Sequence, residues 1–589
     1  MTDGRPPSAP RRSWLPLLET LRGYGREDFT ADAIAGTIVG IVTLSQAIAY
    51  AVLAGLPPEA GLYACLAPLV LYALLSSSRH LMVGPVAVAA LMVAAAISTY
   101  GPRFDTENNG AALDIAAVIC IEAGAMLVLL RMLQLGGLVN LLSHPVIVGF
   151  VNAAAVLILV GQIPLLLGAP SGGTGFAVIT SLPDQVAQLS PATASLGAGT
   201  LILLLGLQFR GGAWCRKLGF DLPDGHPVLR LGPLVATLAG GACVAVFNLD
   251  DEARVAVVGA VPAGLPAIGL PPLQSALWID LLPVSALIAV VAYVESYSIG
   301  TTLATRIGTR LNANQELVAL GAANLAAGIT GAYPVAGSFS RSSIAFQTGA
   351  RTQVSGLISA ALILLALLLL MPLVAWIPHT VLAAIIMVSV LGIIDTHSAR
   401  KHWRGHRDES ATEIATFLAV IVAGVELGLL TGVALALALF VRQSSRPRLI
   451  VVGQVGDTGQ VRSVRRYEVV THARVLAVRI DENIFFANAN PIEQRLLTLI
   501  GQHPDTRHLV LVCSAVNRID VTGIEMLARV SRNLAAARII LHLTDVKAQV
   551  LRQIEAADLP RALTGQIFFS ADQALRALDP GVTAGPAPR

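Results

Sequence analysis

Long apolar runs occupy the chain from residue 33 to residue 441, and a mixed pattern of apolar and polar positions follows them. A helix that crosses a membrane needs roughly 20 apolar residues. Shorter runs at Gly61–Leu75 and Leu317–Gly331 extend the series, so the pattern predicts an all-α polytopic membrane domain. The runs that predict full or nearly full spanning helices are Ala33–Leu53, Ile115–Leu133, Val146–Leu167, Ala192–Leu207, Pro233–Phe247, Leu281–Gly300, Val354–Leu373, Val381–Ile394, Glu413–Val425 and Leu427–Val441.

Two further segments are too short to cross a membrane alone. Gly84–Ser98 opens on Gly84-Pro85, and Ser340–Ala350 is rich in serine and contains Arg341. They stand third and tenth in a series of about fourteen segments, which is the third place in each of two halves. Interruptions at matching places are typical of transporters built from inverted repeats, whose site lies near the membrane midplane. The pattern therefore predicts 14 membrane segments as 7+7 repeats with two half-helices. We also expect Leu135–His144 to continue into the next helix through a kink at Pro145.

The last part of the chain alternates between strands and helices, which predicts a small α/β domain. The predicted strands are Val475–Ile480, His508–Cys513 and Ile539–Leu543. The predicted helices are Pro491–Ile500, Gly523–Ala535 and Lys547–Ala556. This gives a domain plan of an N-terminal cytoplasmic segment, a transmembrane domain, a linker, the α/β domain and a tail rich in Pro, Gly and Ala that is expected to be disordered. In that order the plan runs 1–30, 31–443, 444–470, 471–579 and 580–589.

Composition excludes several classes of function. Of the 589 residues 54% are hydrophobic and 13% are charged, whereas soluble domains carry about 25% charged residues. The net charge of +3 gives no reason to expect a nucleic-acid partner. The five cysteines are scattered without a CxxC pair, so we expect no metal site and no cofactor. No phosphate-binding loop or catalytic triad is visible, and an enzyme is not expected.

The charges of the loops predict the orientation. If the N-terminus is cytoplasmic, the basic residues collect in the loops on the cytoplasmic side, as expected for a multi-pass membrane protein. The opposite loops carry acids instead, such as Asp105, Glu107, Asp250 and Asp251. We therefore expect a multi-pass protein of a bacterial inner membrane with both termini in the cytoplasm. The basic residues that carry this argument are Arg79, Arg131, Arg210, Arg216, Lys217, Arg230, Arg306, Arg310, Arg400, Lys401, Arg404 and Arg407.

The starts of the two half-helices form the candidate binding site. A helix N-terminus presents unpaired N–H groups and the positive end of a dipole, which suits an anion. Val86 and Ala87 open the first half-helix with small side chains, while Ser338, Ser340 and Arg341 open the second. An arginine at membrane depth is costly and marks a functional site by default. The simpler interpretations are that the serines only pack helices together and that Arg341 reaches to the interface.

Three more polar residues lie inside apolar runs. Gln46 and Tyr50 are four residues apart, hence on one face of the first long helix, and both can donate hydrogen bonds. Two interpretations are open: Gln46 and Tyr50 form a donor set for the same anion, or they only bond across helices. Glu295 lies in the run Ala292–Tyr297 and either responds to a coupling cation or pairs with Arg341 in a structural ion pair.

Three motifs in this order resemble those of the sulfate permease (SulP) family of anion transporters, and the resemblance covers nearly the whole chain. One departure is Ser45, where the family usually has proline, and this puts a local kink in doubt. The motifs are Ser45-Gln46-Ala47-Ile48-Ala49-Tyr50-Ala51 with the stretch from Leu53-Ala54-Gly55-Leu56-Pro57-Pro58 to Gly61-Leu62-Tyr63-Ala64, then Ser78-Arg79-His80 with Val83-Gly84-Pro85-Val86-Ala87, and Gly337-Ser338-Phe339-Ser340-Arg341-Ser342.

The resemblance implies a fold of fourteen helices in which a core domain moves like an elevator against a gate domain. It also implies that the anion sits between the third and tenth helices, with Gln46 and Tyr50 at its side and Ser340 and Arg341 near it. Glu295 stands at the position that this family links to cation coupling.

The segment Val516–Ile524 resembles the loop and helix start of the STAS domain, which sulfate transporters share with anti-sigma factor antagonists. In the antagonists a hydroxyl residue of this loop is phosphorylated, and Thr522 is the nearest candidate. The simpler interpretation is that Asp520 or Thr522 caps the following helix. For the domain as a whole we expect a role in stabilising a homodimer or in docking a cytoplasmic protein partner.

The coupling ion can be argued from the neighbours of Glu295. Sodium needs several oxygen ligands, whereas a proton needs one carboxylate, and an apolar setting favours the protonated acid. Ser298 lies one turn on, but Ile299, Val291 and Ala292 are apolar. Proton coupling is favoured, while Ser338 or backbone carbonyls leave sodium open.

The sequence thus predicts a secondary active transporter of a small inorganic or organic anion of the sulfate, bicarbonate or dicarboxylate class. Proton symport by an elevator-type mechanism is the leading hypothesis. A sodium-coupled bicarbonate symporter, or an anion exchanger or channel on the same fold, is the alternative.

Overall fold

The structure is a computed structural model that forms two compact units, Met1–Ala436 and Leu437–Arg589. Several predicted features lie outside the described residues, among them the acidic loop around Asp105, the basic residues Arg230, Lys401 and Arg404, and the C-terminal tail. The described residues are 15–103, 110–137, 143–169, 176–217, 231–262, 264–397, 400, 407–456 and 458–580.

The first unit is helical apart from two short strands. In its described part, seven segments are long and apolar enough to cross a membrane by length and composition, and shorter apolar helices accompany them. The count of fourteen membrane segments stays a prediction. The helices are Pro16–Leu21, Arg26–Leu53, Pro58–Tyr63, Ala67–Leu75, Ala87–Tyr100, Gly110–Met132, His144–Leu167, Phe176–Val186, Pro191–Lys217, Gly232–Phe247, Leu249–Glu252, Ser275–Arg306, Ala313–Ile329, Phe339–Gln347, Val354–Leu369, Met371–Val374, His379–Leu391, Arg407–Ala423 and Val425–Ser444.

Helices of the first half of this unit pack against helices of the second half. Arg26–Leu53 of the first half packs on Val354–Leu369 of the second, and Ser275–Arg306 of the second packs on Gly110–Met132 of the first. Glycines allow these approaches, since a Cβ added to Gly36 would lie 2.5 Å from the carbonyl oxygen of Ser355. Such close contact between small residues is the usual way in which membrane helices associate.

A second group of helices packs around His144–Leu167. Arg407–Ala423, His379–Leu391 and Pro191–Lys217 all contact this helix. The predicted kink at Pro145 is wrong, because the helix begins at His144 and Pro145 lies in its first turn. Proline is well tolerated there, since the first turn has no hydrogen-bond partner for its N–H groups.

The second unit is an α/β domain on a six-stranded sheet with the spatial order β4-β3-β5-β6-β7-β8, counting the two strands of the first unit as β1 (Val83–Gly84) and β2 (Ala336–Gly337). β5 to β8 are parallel neighbours, and β3 joins β5 antiparallel. The strands are β3 Leu449–Gln454, β4 Val461–Ser463, β5 Val475–Ile480, β6 His508–Val512, β7 Ile540–Thr544 and β8 Ile567–Phe568. The helices are Ala489–Gly501, Val521–Ala536, Ala548–Ala556, Leu559–Ala562 and Ala571–Leu578.

The predicted linker at 444–470 is wrong in its central part. β3 and β4 lie within it, and β3 pairs Leu449 with Ile480. The apolar run Leu449–Val452 is typical of a strand. The stretch after it is polar and contains glycine, so the sequence pattern did not predict that β3 forms a hairpin with β4.

Two histidines meet across neighbouring strands of this sheet. Nε2 of the buried His542 lies 3.2 Å from Nδ1 of His508. The backbone N–H of Gln566 donates to Nδ1 of His542 at 3.1 Å, so the neutral ring is favoured. Burial, together with the charge that His508 can carry, lowers the pKa of His542 from 6.5 to about 4.

This depressed pKa predicts that the C-terminal unit loses stability as the pH falls from about 6.5 towards 4, because the unfolded chain binds a proton there and the folded ring does not. The loss should be of the order of 2 kcal/mol. Denaturant titrations followed by a probe in this unit measure it. His542→Gln should flatten the dependence, while the same change at the exposed His503 should not. Equal curves for both variants would contradict the assignment.

Candidate functional site

The two predicted half-helices meet where the short strands that precede them pair with each other. β1 and β2 are antiparallel, with Val83 opposite Gly337 and Gly84 opposite Ala336. Each strand leads directly into a half-helix, Ala87–Tyr100 or Phe339–Gln347. Pro85 ends the first strand because it cannot donate a ladder hydrogen bond. Two helix N-termini from opposite halves of the chain therefore open at one point inside the bundle, which we call the crossing.

The first half-helix begins without a side-chain cap. Val86 takes the N-cap position with extended backbone angles, and no side chain accepts a hydrogen bond from the first turn. The first N–H groups of a helix have no partner within the helix. Val86 and Ala87 are both buried, so these donors lie in the interior of the protein. An uncapped, buried helix N-terminus of this kind is suited to an anion.

Arg341 reaches across the crossing to the other half. Its side chain is 1% exposed, and Nη2 donates to the carbonyl oxygen of Pro85 at 2.7 Å. Nε and Nη1 have no hydrogen-bond partner among the described residues. Gly84 makes the approach possible, since a Cβ there would lie 3.2 Å from Nη1. A buried guanidinium with unused donors beside a free helix N-terminus offers the kind of hydrogen bonds that a small anion accepts.

Hydrogen bonds fix the second half-helix against its surroundings. The Ser338 hydroxyl accepts from the N–H of Arg341 at 3.5 Å and so caps this helix. The Ser342 hydroxyl accepts from the N–H of Met82 at 2.9 Å. The N–H of Gly337 donates to the Ser296 hydroxyl at 2.8 Å. The crossing is thereby tied both to the other half and to the helix that carries Glu295.

Gln46 and Tyr50 lie together on one face of their helix, as predicted, and both are buried. Nε2 of Gln46 donates to the hydroxyl of Ser389 at 3.5 Å, and the Tyr50 hydroxyl also contacts Ser389. Tyr50 is within electrostatic range of Arg341. Tyr50 therefore borders the site of Arg341, and both residues bond across helices to Ser389, as the simpler interpretation holds. Their part in binding an anion stays a prediction.

Glu295 is half-buried on Ser275–Arg306 and lies within electrostatic range of Arg341. The alternative of a structural ion pair is not seen, because no salt bridge or hydrogen bond joins Glu295 to Arg341 or to any other described residue. Ser340, the remaining predicted residue of this region, is exposed, next to Phe339, which is 51% exposed. The structure thus does not bring Ser340 into contact with the guanidinium.

The sequence missed two polar residues of this region, one beside Arg341 and one on the segment that leads to β2. Tyr333 is fully buried, its hydroxyl has no partner among the described residues, and it lies within electrostatic range of Arg341 and Tyr50. Asn324 holds the connection to β2, because its side chain bonds both the N–H and the carbonyl of Val335, at 3.0 and 3.1 Å. Tyr333 stands just before Pro334 and was visible only as a chain break, whereas Asn324 looks like an ordinary polar residue of a helix.

In the C-terminal unit the helix Val521–Ala536 is capped by Asp520. Its carboxylate accepts from the N–H of Gly523 at 2.8 Å and from the N–H of Phe486, also at 2.8 Å. Asp520 is therefore the cap, as the simpler interpretation holds, and Thr522 is an exposed residue of the first turn.

Comparison with known proteins identifies the family. The chain matches the sulfate permease family over residues 29–416 and the STAS domain over residues 466–574. The chain belongs to the sulfate permease family. It is thus a membrane transport protein and not an enzyme, and its C-terminal unit is a STAS domain.

Relatives in bacteria and plants share most of the length of this sulfate permease family member. A probable sulfate transporter of Mycobacterium tuberculosis is 32% identical over 94% of this chain and 96% of its own. The chloroplastic sulfate transporter 4.1 of Arabidopsis thaliana is also 32% identical, over 94% of this chain and 81% of its own.

Solved structures share the fold. The murine solute carrier 26 family member A9, an anion transporter in its inward-facing state, superposes with a TM-score of 0.86 at 21% identity, covering 98% of this chain and 97% of its own. The transmembrane domain of the cyanobacterial bicarbonate transporter BicA gives a TM-score of 0.57 at 23% identity, covering 70% of this chain and 98% of its own.

The contact between Gly84 and Arg341 predicts that Gly84→Ala is destabilising. The guanidinium would have to shift slightly against the carbonyl of Pro85, and such overpacking costs about 1–3 kcal/mol. Thermal unfolding of the purified protein in detergent measures the effect. The matched control is Gly356→Ala, where the nearest atom to an added Cβ is 3.6 Å away, and where alanine in a helix interior stabilises by about 0.5–1 kcal/mol. Equal unfolding midpoints would contradict this account of the site.

Proposed function

We propose that this sulfate permease family member is a secondary active transporter that carries a small oxyanion, with sulfate as the first candidate, together with protons. The observation that carries the proposal is the unused donors of Arg341. Nε and Nη1 of a buried guanidinium are left without partners at the meeting point of two half-helix N-termini. Buried polar groups are almost always satisfied, so a ligand that accepts hydrogen bonds is expected there.

Sulfate fits the donor set because its oxygens point in several directions at once. One can take the guanidinium, others the N–H groups that follow Val86, and another the hydroxyl of Tyr333 or Tyr50. The Mycobacterium tuberculosis and Arabidopsis thaliana relatives are named as sulfate transporters, which supports the choice. Bicarbonate is the alternative, because BicA, named as a bicarbonate transporter, shares the fold.

Protons are the favoured coupling ion because the surroundings of Glu295 offer little for sodium. The neighbouring hydroxyl of Ser296 is already engaged, since it donates to the carbonyl of Ala292 at 2.5 Å and accepts from the N–H of Gly337. Ser298 is exposed. When Glu295 binds a proton, it loses its negative charge and no longer offsets the positive charge of Arg341. The site then attracts an anion more strongly. Proton and anion then bind together, which is the basis of symport.

An elevator-type mechanism agrees with the two groups of helices. The crossing belongs to the group that includes Arg26–Leu53 and Ser275–Arg306, and the group around His144–Leu167 would form the gate. We further propose that the protein lies in a bacterial inner membrane as a homodimer with cytoplasmic termini. The STAS domain would contact a cytoplasmic partner, and phosphorylation of the exposed Thr522 would add about −1.5 to −2 charges at a helix N-terminus.

Arg341→Gln should lower sulfate uptake into proteoliposomes by at least about 30-fold, because removing a buried charged donor costs roughly 2–5 kcal/mol of binding. Arg310→Gln, at an exposed arginine of a loop, is the matched control and should transport normally. Bicarbonate, dicarboxylate and chloride are compared in the same assay. Unchanged sulfate uptake by Arg341→Gln would overturn the proposed site.

Glu295→Gln should abolish the stimulation of uptake by an imposed pH gradient, because the amide cannot bind or release the coupling proton. Uptake is measured with a pH gradient, with a sodium gradient and with neither. Stimulation by sodium alone would favour the sodium symporter. Uptake that needs no gradient, or only a counter-anion inside, would favour a channel or an exchanger. A full response of Glu295→Gln to the pH gradient would refute proton coupling through this residue.

A further inference from the structure

The buried acids of the membrane unit differ in how well their carboxylates are satisfied. Asp32 is fully buried and accepts from the Tyr24 hydroxyl at 3.1 Å and from the N–H groups of Arg351 and Thr352 at 2.7 and 3.0 Å. These hydrogen bonds satisfy the carboxylate. Asp32 thus has a structural role, because it holds the chain after the second half-helix.

Glu316 is satisfied in the same way. It is 1% exposed and accepts from the Tyr72 hydroxyl at 2.5 Å and from the N–H and hydroxyl of Ser77 at 2.9 and 2.7 Å, with Ser76 as a further donor. It joins the end of Ala67–Leu75 to the start of Ala313–Ile329, and its role is also structural.

Glu122 lies in a very different environment. It is near the middle of Gly110–Met132 and only 6% exposed, yet its Oε2 has no partner among the described residues. The hydroxyl of Ser285 on Ser275–Arg306 lies close enough to interact, but Ser285 Oγ, also fully buried, completes no hydrogen bond either. Among the residues that the structure describes, no charged side chain is within electrostatic range of Glu122.

A further helix that packs on Gly110–Met132, Ala313–Ile329, offers Glu122 no partner. Ala313–Ile329 approaches this region through Gly321, Leu325 and Gly328, which bring close backbone and apolar contacts to the helix of Glu122. An ionised carboxylate in such a place is costly. A protonated carboxyl is neutral and can donate to the Ser285 hydroxyl, and so it uses both unpartnered atoms.

We propose that Glu122 is a second proton-binding acid of the transport cycle, with Ser285 as the acceptor of its carboxyl hydrogen, and that two protons accompany each divalent oxyanion. Ser285 and Glu295 are about ten residues apart on one helix, or about 15 Å along its axis. Glu122, which faces Ser285 from the neighbouring helix Gly110–Met132, therefore lies at a different depth from Glu295. This inference rests on the proposed function, because it assumes a proton-coupled anion site at Arg341.

A second proton-binding acid would keep the net charge of the empty and the loaded transporter equal. With both acids ionised, the empty site region carries the positive charge of Arg341 and two negative charges. With both acids protonated and a divalent anion bound, it again carries one positive charge and two negative charges. The loaded and empty forms then have the same net charge, so neither crosses the membrane against a larger electrical barrier than the other. A single proton per divalent anion would make the two forms unequal.

The test is the ratio of protons to sulfate that the reconstituted full chain moves, measured from the sulfate gradient that balances a known pH gradient. The expected ratio is two for the wild-type protein and one for Glu122→Gln, whose transport also becomes sensitive to membrane potential. Glu122→Asp should restore a ratio of two. Glu316→Gln is the matched control, since it removes a buried structural acid and should lower thermal stability with the ratio still two.

The outcomes separate this inference from the proposed function. A ratio of one in both the wild-type protein and Glu122→Gln overturns the role of Glu122 and leaves proton-coupled transport intact. A wild-type ratio of zero overturns the proposed coupling itself. A ratio of two in Glu122→Gln also overturns the inference.

A second measurement covers the case that Glu122→Gln does not fold. In the Glu295→Gln variant, infrared spectroscopy should still detect the carbonyl band of a buried protonated carboxylic acid, and this band should weaken when pH is raised without sulfate. Absence of the band overturns the inference.

Discussion

The burial of the Arg341 guanidinium inside an apolar helix bundle is the constraint on which the rest of the membrane unit depends. A charge at this depth is tolerated only if the surrounding backbone supplies polar groups and if the chain can approach closely enough to do so. The carbonyl of Pro85 provides one such group, and the missing side chain of Gly84 provides the space. Both lie at the start of the opposite half-helix, so the position of the arginine and the pairing of the two halves require each other.

Buried acids show how the same residue type serves two purposes in this fold. Asp32 and Glu316 accept hydrogen bonds from several donors and tie distant segments together. Glu122 and Glu295 lack such donors among the described residues, and binding a proton removes the cost of a buried, unpaired negative charge. The distinction rests on the hydrogen-bond environment rather than on depth, since Asp32 and Glu316 are buried at least as fully as the others.

The sequence allowed the two half-helices to be placed to within three residues at each end. Gly84-Pro85 and the serine-rich segment around Arg341 interrupt apolar runs at matching places in the two halves, which is typical of half-helices in inverted repeats. The strand of Leu449–Gln454 was missed because its hairpin partner is polar and short, so local pattern gave no sign of the pairing. Tyr333 and Ser389 could not be foreseen, since a buried tyrosine or serine becomes part of a site only through contacts between helices that are far apart in sequence. Ser340 does not contact the guanidinium because it is adjacent to Arg341 on a helix, so the two side chains point in directions about 100° apart. Its part in binding an anion stays a prediction.

The same geometry indicates where the site must open. Arg341 and Tyr333 are almost completely buried, so an anion reaches them only if a neighbouring helix moves. The crossing itself is a poor candidate for movement, because the hydrogen bonds of Gly337 to Ser296 and of Met82 to Ser342 hold it at 2.8 and 2.9 Å. The polar contact of Gln46 with Ser389, by contrast, spans 3.5 Å and joins Arg26–Leu53 to His379–Leu391, which packs with the other group of helices. Separation at this contact would free the two donors on Arg26–Leu53 and leave the crossing intact. In the elevator-type mechanism proposed above, the boundary between the two helix groups would therefore also be the boundary at which the proposed anion site becomes accessible.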